Sequence, residues 1–165
     1  MIFGFFKKIP VKPVAQATGA GLVLAVGLVA GFEGLETKPY QDIGGILTYC
    51  YGETEGAIIN AEYTPKQCRT LLENRVQEFN DAAREMITVD MPPKREAAVT
   101  SWLYNVGIAA GKKSTLVRKM NAGDTLGACR ELDRWVYVGR TYIRGLANRR
   151  AMEKELCLDG LLEET

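Results

Sequence analysis

The 20 residues from Pro13 to Phe32 (PVAQATGAGLVLAVGLVAGF) carry no charged side chain, and no other feature limits the chain as much. A helix of that length rises about 30 Å, the thickness of a bilayer's hydrocarbon core, so the run is long enough to span a membrane. Lys7, Lys8 and Lys12 precede it, and Glu33 and Glu36 follow it. That polarity places the N-terminus in the cytoplasm and exports the remainder. Four glycines and five alanines within the run make its hold on lipid weak. Gly19, Gly21, Gly27 and Gly31 also let two such helices approach closely, so tethered chains are able to pair. Three fates are open: a permanent anchor, a cleaved signal peptide, or a buried helix of a soluble protein. Acidic, motif-like residues begin at Glu33 with no spacer, which argues against clean removal.

With 165 residues, 47% hydrophobic and 25% charged, the chain as a whole suits one hydrophobic core. The expected organisation is an N-terminal segment over residues 1–32 and a folded domain over residues 33–165. Lys and Arg number 21 against 20 acids, a balance that gives no support to a nucleic-acid partner. Histidine is absent, which removes the commonest general base, the usual zinc ligand and every Ser-His or Cys-His pair. Acid–base chemistry then falls to carboxylates, lysines, tyrosines or cysteines, and neither a metal nor a cofactor is expected. Charge is unevenly spread. Lys112 to Lys154 holds 11 basic and 4 acidic residues, whereas Glu33 to Gly111 holds 7 basic and 12 acidic. The split is read either as solvated faces or as a basic wall beside an acidic cleft suited to an anionic polymer.

Cys50, Cys68, Cys129 and Cys157 all follow the apolar run, and none forms a C-x-x-C pair. Their spacing lacks the two close pairs of a four-thiolate zinc site. Disulfides in an oxidising compartment fit better than four free thiols in a cytosolic protein. Of three connectivities, Cys50–Cys68 and Cys129–Cys157 are preferred because each joins neighbouring elements.

From Tyr40 to Tyr51, Gly44-Gly45 between β-favouring residues signals a hairpin. Thr64-Pro65-Lys66-Gln67 reads as a capping box opening a helix of five or six turns, with Cys68, Leu71, Leu72, Val76 and Phe79 on one face. Pro92-Pro93 opens another helix that ends near Asn105 and Gly107. Ser114 and Asp124 are N-caps of two shorter helices, the second bearing Leu126, Cys129, Leu132 and Trp135. A last helix carries Leu146, Met152 and Leu156 and stops near Gly160. The plan is α+β: a small hairpin lobe followed by a mainly helical lobe.

Glu33, Asp42 and Thr48 stand around the hairpin. Two carboxyls and a hydroxyl suffice to split a glycosidic bond without histidine or metal. One carboxyl must deliver a proton, which calls for an apolar setting that raises its pKa, and Glu33 follows Leu28, Val29, Ala30, Gly31 and Phe32. Asp42, beside a glycine-rich turn, would stay ionised to orient water, and Thr48 would help hold that water. A two-residue Gly44-Gly45 turn would put Asp42 and Thr48 on opposite faces of the hairpin. A five-residue loop would put them opposite one another, as the chemistry requires.

Glu33-Gly34-Leu35, Tyr40-Gln41-Asp42 and Thr48 together resemble the active-site signature of the bacteriophage lysozymes of glycoside hydrolase family 24. Further blocks resemble the same family: Ser101 to Gly107, Ser114-Thr115-Leu116, Asn121 to Asp124, Arg134-Trp135, and Gly145-Leu146 with Arg149-Arg150. The resemblance runs in order from Glu33 to Gly160. It implies a lysozyme-like fold and an endolysin that hydrolyses, with inversion, the β-1,4 bond between N-acetylmuramic acid and N-acetylglucosamine in peptidoglycan. Glu33 would be the acid, Asp42 and Thr48 would handle water, and Tyr104 and Asn105 would line the sugar cleft. Where family members often carry histidine, this chain has Glu53. The apolar run resembles the signal-anchor-release segments of one endolysin subgroup. That likeness implies export, inactive tethering at the bacterial inner membrane and later release to the periplasm as an active monomer. Two alternatives stand beside this reading. A lytic transglycosylase would need Glu33 but neither Asp42 nor Thr48, and an inactive wall-binding membrane protein would need none of the three.

Overall fold

The computed structural model describes residues 19–42 and 45–160. Helix α1 spans Ala20–Glu33, and strands β1 (Glu36–Gln41) and β2 (Leu47–Cys50) form an antiparallel hairpin. The helical lobe contains α2 (Pro65–Met86), α3 (Pro93–Val106), α4 (Ile108–Lys112), α5 (Thr115–Asn121) and α6 (Thr125–Arg130). A 3-10 turn (Glu131–Arg134) leads into a second hairpin, β3 (Tyr137–Val138) and β4 (Thr141–Tyr142), before α7 (Arg144–Asp159) closes the fold. The architecture is the expected α+β arrangement, lysozyme-like in its separation of hairpin and helical lobes.

The anticipated helix signals act where the sequence places them. Thr64 and Gln67 make the reciprocal capping box of α2, with Pro65 at its first position. Ser114 Oγ accepts from Val117 N at 3.1 Å, and Asp124 Oδ1 accepts from Gly127 N at 2.9 Å. Gly107, at φ +84°, stops α3 in a conformation that a side chain would strain. Both preferred disulfides are present: Cys50–Cys68 ties β2 to α2, and Cys129–Cys157 ties α6 to α7.

Helix α1 is part of the core. Leu22, Ala25, Val26 and Val29 are buried against Leu72 and Val76 of α2 and Ala97 of α3. Among the described residues no helix is long and apolar enough to cross a membrane; α1, at 14 residues, rises about 21 Å. The charge-free run starts at Pro13, and its first six residues lie outside the described part. Gly21 explains how closely α1 approaches α3. A Cβ placed there would stand 2.8 Å from Cδ and 3.0 Å from Cβ of Glu96, which is itself buried and accepts hydrogen bonds from Asn80 and Arg84.

Three sequence expectations need correction. The register pairs Tyr40 with Thr48 and Gln41 with Leu47, so neither anticipated loop occurs. Asp42 instead pairs with Ile46, and Ile43 and Gly44 of the expected turn lie outside the described residues. In α7, Met152 is exposed, while Arg149, Arg150 and Glu153 turn inward. Two of the cations counted as a basic wall are therefore internal, held by Glu153. The helix begun by Asp124 ends at Arg130, and Leu132 belongs to the 3-10 turn.

Gly21→Val should lose about 1–3 kcal/mol of stability through overpacking against Glu96. Urea unfolding of the full chain measures it. A midpoint equal to that of the wild type would mean that α1 has slack against α3.

Candidate active site

Glu33 is the last residue of α1. Gly34, at φ +73°, then turns the chain into β1. The carboxylate is one-quarter exposed, and its Oε1 accepts from Arg149 Nη1 at 2.6 Å. The expected surroundings of apolar side chains are thus replaced by a guanidinium. On the other side a Cβ at Gly52 would lie 3.4 Å from Oε2. Oε2 therefore faces the hairpin lobe, and Gly52, at φ +81°, leaves it room.

Arg149 is the centre of a buried network. Its Nε donates to Glu153 Oε1 at 3.1 Å, and its Nη2 donates to the Ser101 carbonyl at 3.1 Å. Ser101 Oγ donates to the same Glu153 oxygen at 2.7 Å. The Phe32 ring lies 4.7 Å from the Arg149 carbon, in cation–π contact. One planar fork thus joins α1, α3 and α7. Burial pushes the Glu153 carboxyl up, opposed by Arg150, Ser101 and Arg149. Burial draws Arg150 down to about 10, which leaves it charged at neutral pH. Arg150 Nη2 donates to Asn105 Oδ1 at 2.7 Å.

Asp42 closes the first hairpin. Its backbone N donates to Ile46 O at 2.9 Å, and its Oδ1 accepts from Ile46 N at 2.8 Å. Thr48 is only 5% exposed, and its hydroxyl donates to Ile46 O at 3.1 Å. Because Tyr40 faces Thr48 across the hairpin, continuing the alternation by two residues puts Asp42 on the Thr48 face as a diagonal neighbour. The two polar groups share a face through a register that differs from both anticipated ones. Oγ1 of Thr48 spends its proton on a carbonyl and keeps lone pairs to accept from water.

Tyr104 and Asn105 lie at the end of α3. The Tyr104 hydroxyl donates to Tyr51 O at 3.1 Å, linking the helical lobe to the hairpin lobe. Burial raises this phenol to about 12, and the charges of Glu33 and Glu53 add to the effect. Asn105 is exposed beside Arg150. Glu53, the departure from the resembled pattern, turns its Oε1 to the backbone N–H groups of Thr54 and Glu55 at 2.9 and 3.0 Å. Sequence reasoning missed Arg149, Ser101 and Glu153 as site residues. The available signal was the i, i+4 and i, i+3 spacing of Arg149 and Arg150 to Glu153, which puts all three on neighbouring turns of one helix. Among the described residues no group of three or more Cys, Asp or Glu side chains is gathered to hold a metal ion.

Tyr49 is also raised to about 12, first by burial and then by Tyr63, Glu53 and Glu55. Two of the seven tyrosines should therefore ionise late in a phenolate absorbance titration. The fold keeps both phenols neutral beyond their ordinary value of 10.0. Their contribution to stability is accordingly complete below about pH 10 and lost as the pH rises towards about 12. Seven tyrosines ionising together near pH 10 would contradict the packing described.

Comparison with known proteins gives consistent matches. The family described as phage lysozyme matches residues 30–153. The SAR-endolysin of Enterobacteria phage P21 is 38% identical over 157 residues, covering 90% of this chain and 95% of that protein. The active form of the P1 phage endolysin Lyz has a similar structure, with a TM-score of 0.76, 26% identity, and coverage of 92% of this chain and 89% of that one. The endolysin from Escherichia coli O157:H7 phage FAHEc1 also reaches 0.76, at 31% identity over 88% of this chain and 94% of that one.

Proposed function

The chain belongs to the phage lysozyme family and is a lysozyme-type lysis enzyme that hydrolyses peptidoglycan; from that premise we propose that it cuts the β-1,4 bond between N-acetylmuramic acid and N-acetylglucosamine, with Glu33 as proton donor. The observation that carries this reading is the place of Glu33 at the end of α1, with Oε1 held by Arg149 and Oε2 turned to the hairpin lobe that bears Asp42 and Thr48. Arg149 occupies Oε1, so the oxygen that acts on the substrate is Oε2, directed towards Gly52. As the glycosidic C–O bond breaks, the Glu33 proton passes to the leaving oxygen. A water on the opposite face of the sugar donates one hydrogen to Thr48 Oγ1 and gives the other to the Asp42 carboxylate. Its lone pair forms the new bond to the anomeric carbon, with inversion. Asn105 and Tyr104 flank the sugar chain.

The same reading covers residues 1–32, with residues 33–165 as the catalytic domain. Held in lipid, the segment tethers the exported chain to the inner membrane, where Gly27 and Gly31 let two helices pair. The face formed by Leu22, Ala25, Val26 and Val29 cannot lie in the bilayer and against Leu72, Val76 and Ala97 at the same time. Glu33 ends that helix, so withdrawing α1 also withdraws Glu33 from Arg149. Release into the periplasm restores both contacts in a monomer.

Clearing of purified murein should fall by about 10²–10⁴-fold in Glu33→Gln, through loss of general acid catalysis. Asp42→Asn should fall comparably, and Thr48→Ser should retain more activity than Thr48→Ala. The products should carry free reducing ends, and anhydro-sugar ends would overturn hydrolysis in favour of transglycosylation. Tethering is tested by comparing chains retained in energised membranes with released chains. Equal rates of murein cleavage would end the proposal that the anchor restrains the enzyme.

A further inference from the structure

The second hairpin has no packing role that accounts for its side chains. Tyr137 through Tyr142 are all exposed, with Tyr137 at 58%, Val138 at 65% and Tyr142 at 55%. The register Tyr137↔Tyr142 and Val138↔Thr141 leaves a two-residue turn at Gly139-Arg140, and Gly139 at φ +60° suits its first position. Tyr137 and Tyr142 share one face, their rings 5.8 Å apart and edge-on at 71°. A two-stranded hairpin exposed on both sides is marginal by itself. This one is anchored at its base, where Ile143 N donates to Val136 O and Trp135 packs edge-on against Trp102 at 5.3 Å. The anchoring leaves the tyrosine pair free to meet a ligand.

Charge narrows the kind of ligand. The stretch from Arg134 to Arg144 (RWVYVGRTYIR) contains three arginines and no acid. Arg134 is paired with Glu131, whereas Arg140 and Arg144 are exposed and make no ion pair among the described residues. Two unneutralised guanidiniums beside two aromatic rings form a surface for an anionic ligand that also presents flat or apolar groups. Position narrows it further. Arg144 opens α7 just after the hairpin, and Arg149, which touches Glu33, lies five residues on, about 8 Å further along the helix axis. A strand bound over Glu33 and running towards the N-terminus of α7 would reach the hairpin.

We propose that the Tyr137–Tyr142 hairpin grips the wall polymer outside the catalytic centre, with the tyrosines packing on its strand and Arg140 and Arg144 pairing with carboxylates of its stem peptides. This rests on the proposed cleavage of peptidoglycan and adds to it a second contact that selects peptide-bearing strands.

The test uses the full chain carrying Glu33→Gln, so that the wall is not digested during measurement, with Tyr137→Ala/Tyr142→Ala and Arg140→Gln/Arg144→Gln added in turn. Sedimentation with purified sacculi should weaken about tenfold in each case, as expected when central aromatic and arginine contacts are truncated. Raised salt should weaken the parent but not the arginine variant. In the Glu33 background the same changes should raise KM for sacculi with kcat unchanged; on peptide-free glycan strands the arginine changes should leave cleavage as it was, whereas the tyrosine changes should raise KM there too. Unchanged retention overturns the proposal, as does an equal loss on peptide-free strands in the arginine variant. Retained sacculus binding with lost binding to phosphatidylglycerol vesicles would identify a membrane contact instead and also overturn it. A chain that does not hydrolyse murein at all fails separately, in the turbidity assay, while retention is still read on the Glu33→Gln chain.

Discussion

The fold and the candidate site depend on one guanidinium. Arg149 is almost fully buried, and a charge in that position is tolerated only when its donors find partners. It finds them on three helices: Glu33 of α1, the Ser101 carbonyl of α3 and Glu153 one turn along its own helix. The planar fork holds these groups in fixed directions, so the angle at which α7 meets α1 and the orientation of the Glu33 carboxyl are set together. Occupying Oε1 also leaves Oε2 as the oxygen turned towards Gly52. Glu153 makes the arrangement possible because it offsets two buried arginines and takes the Ser101 hydroxyl as well.

Helix α1 links this site to the apolar N-terminal run. Its buried stripe supplies part of a hydrophobic cluster with α2 and α3, and its final residue supplies a carboxylate to the site. Gly21 lets it settle against the buried Glu96. One element thus carries both an apolar surface that the protein core covers and the carboxylate that meets Arg149. On the proposed function, location alone would control the enzyme, because a helix held in lipid could not bring that carboxylate to the site.

The two hairpins illustrate different uses of a small antiparallel pair. In the first, Cys50–Cys68 binds β2 to α2, and the turn after β2 brings Gly52 to Glu33. Its register carries Asp42 and Thr48 to one face. The second contributes almost nothing to the core and leaves its aromatic face to solvent. The first hairpin is built into the site, whereas the second is held beside it.

Much of this was readable from local sequence. The Thr64–Gln67 capping box, the Ser114 and Asp124 caps and the Gly107 stop concern groups three or four residues apart, where backbone geometry alone settles the outcome. The disulfide pairing was legible on another ground, since each bond closes a short stretch of chain, with separations of 18 and 28 residues. The spacing of Glu33, Asp42 and Thr48 marked the candidate carboxyls and hydroxyl. The register of the first hairpin was not readable, because Gly44-Gly45 permits several loop lengths and a shift of one residue changes which side chains share a face. Nor was the partner of Glu33. Arg149 lies 116 residues away, and its place is interior, where both readings of the charge pattern, solvated faces or a basic wall, put such residues on the surface. Local order along the chain is decided by neighbouring groups; the setting of the carboxyl at position 33 is decided by which distant charge the packed helices bring to it.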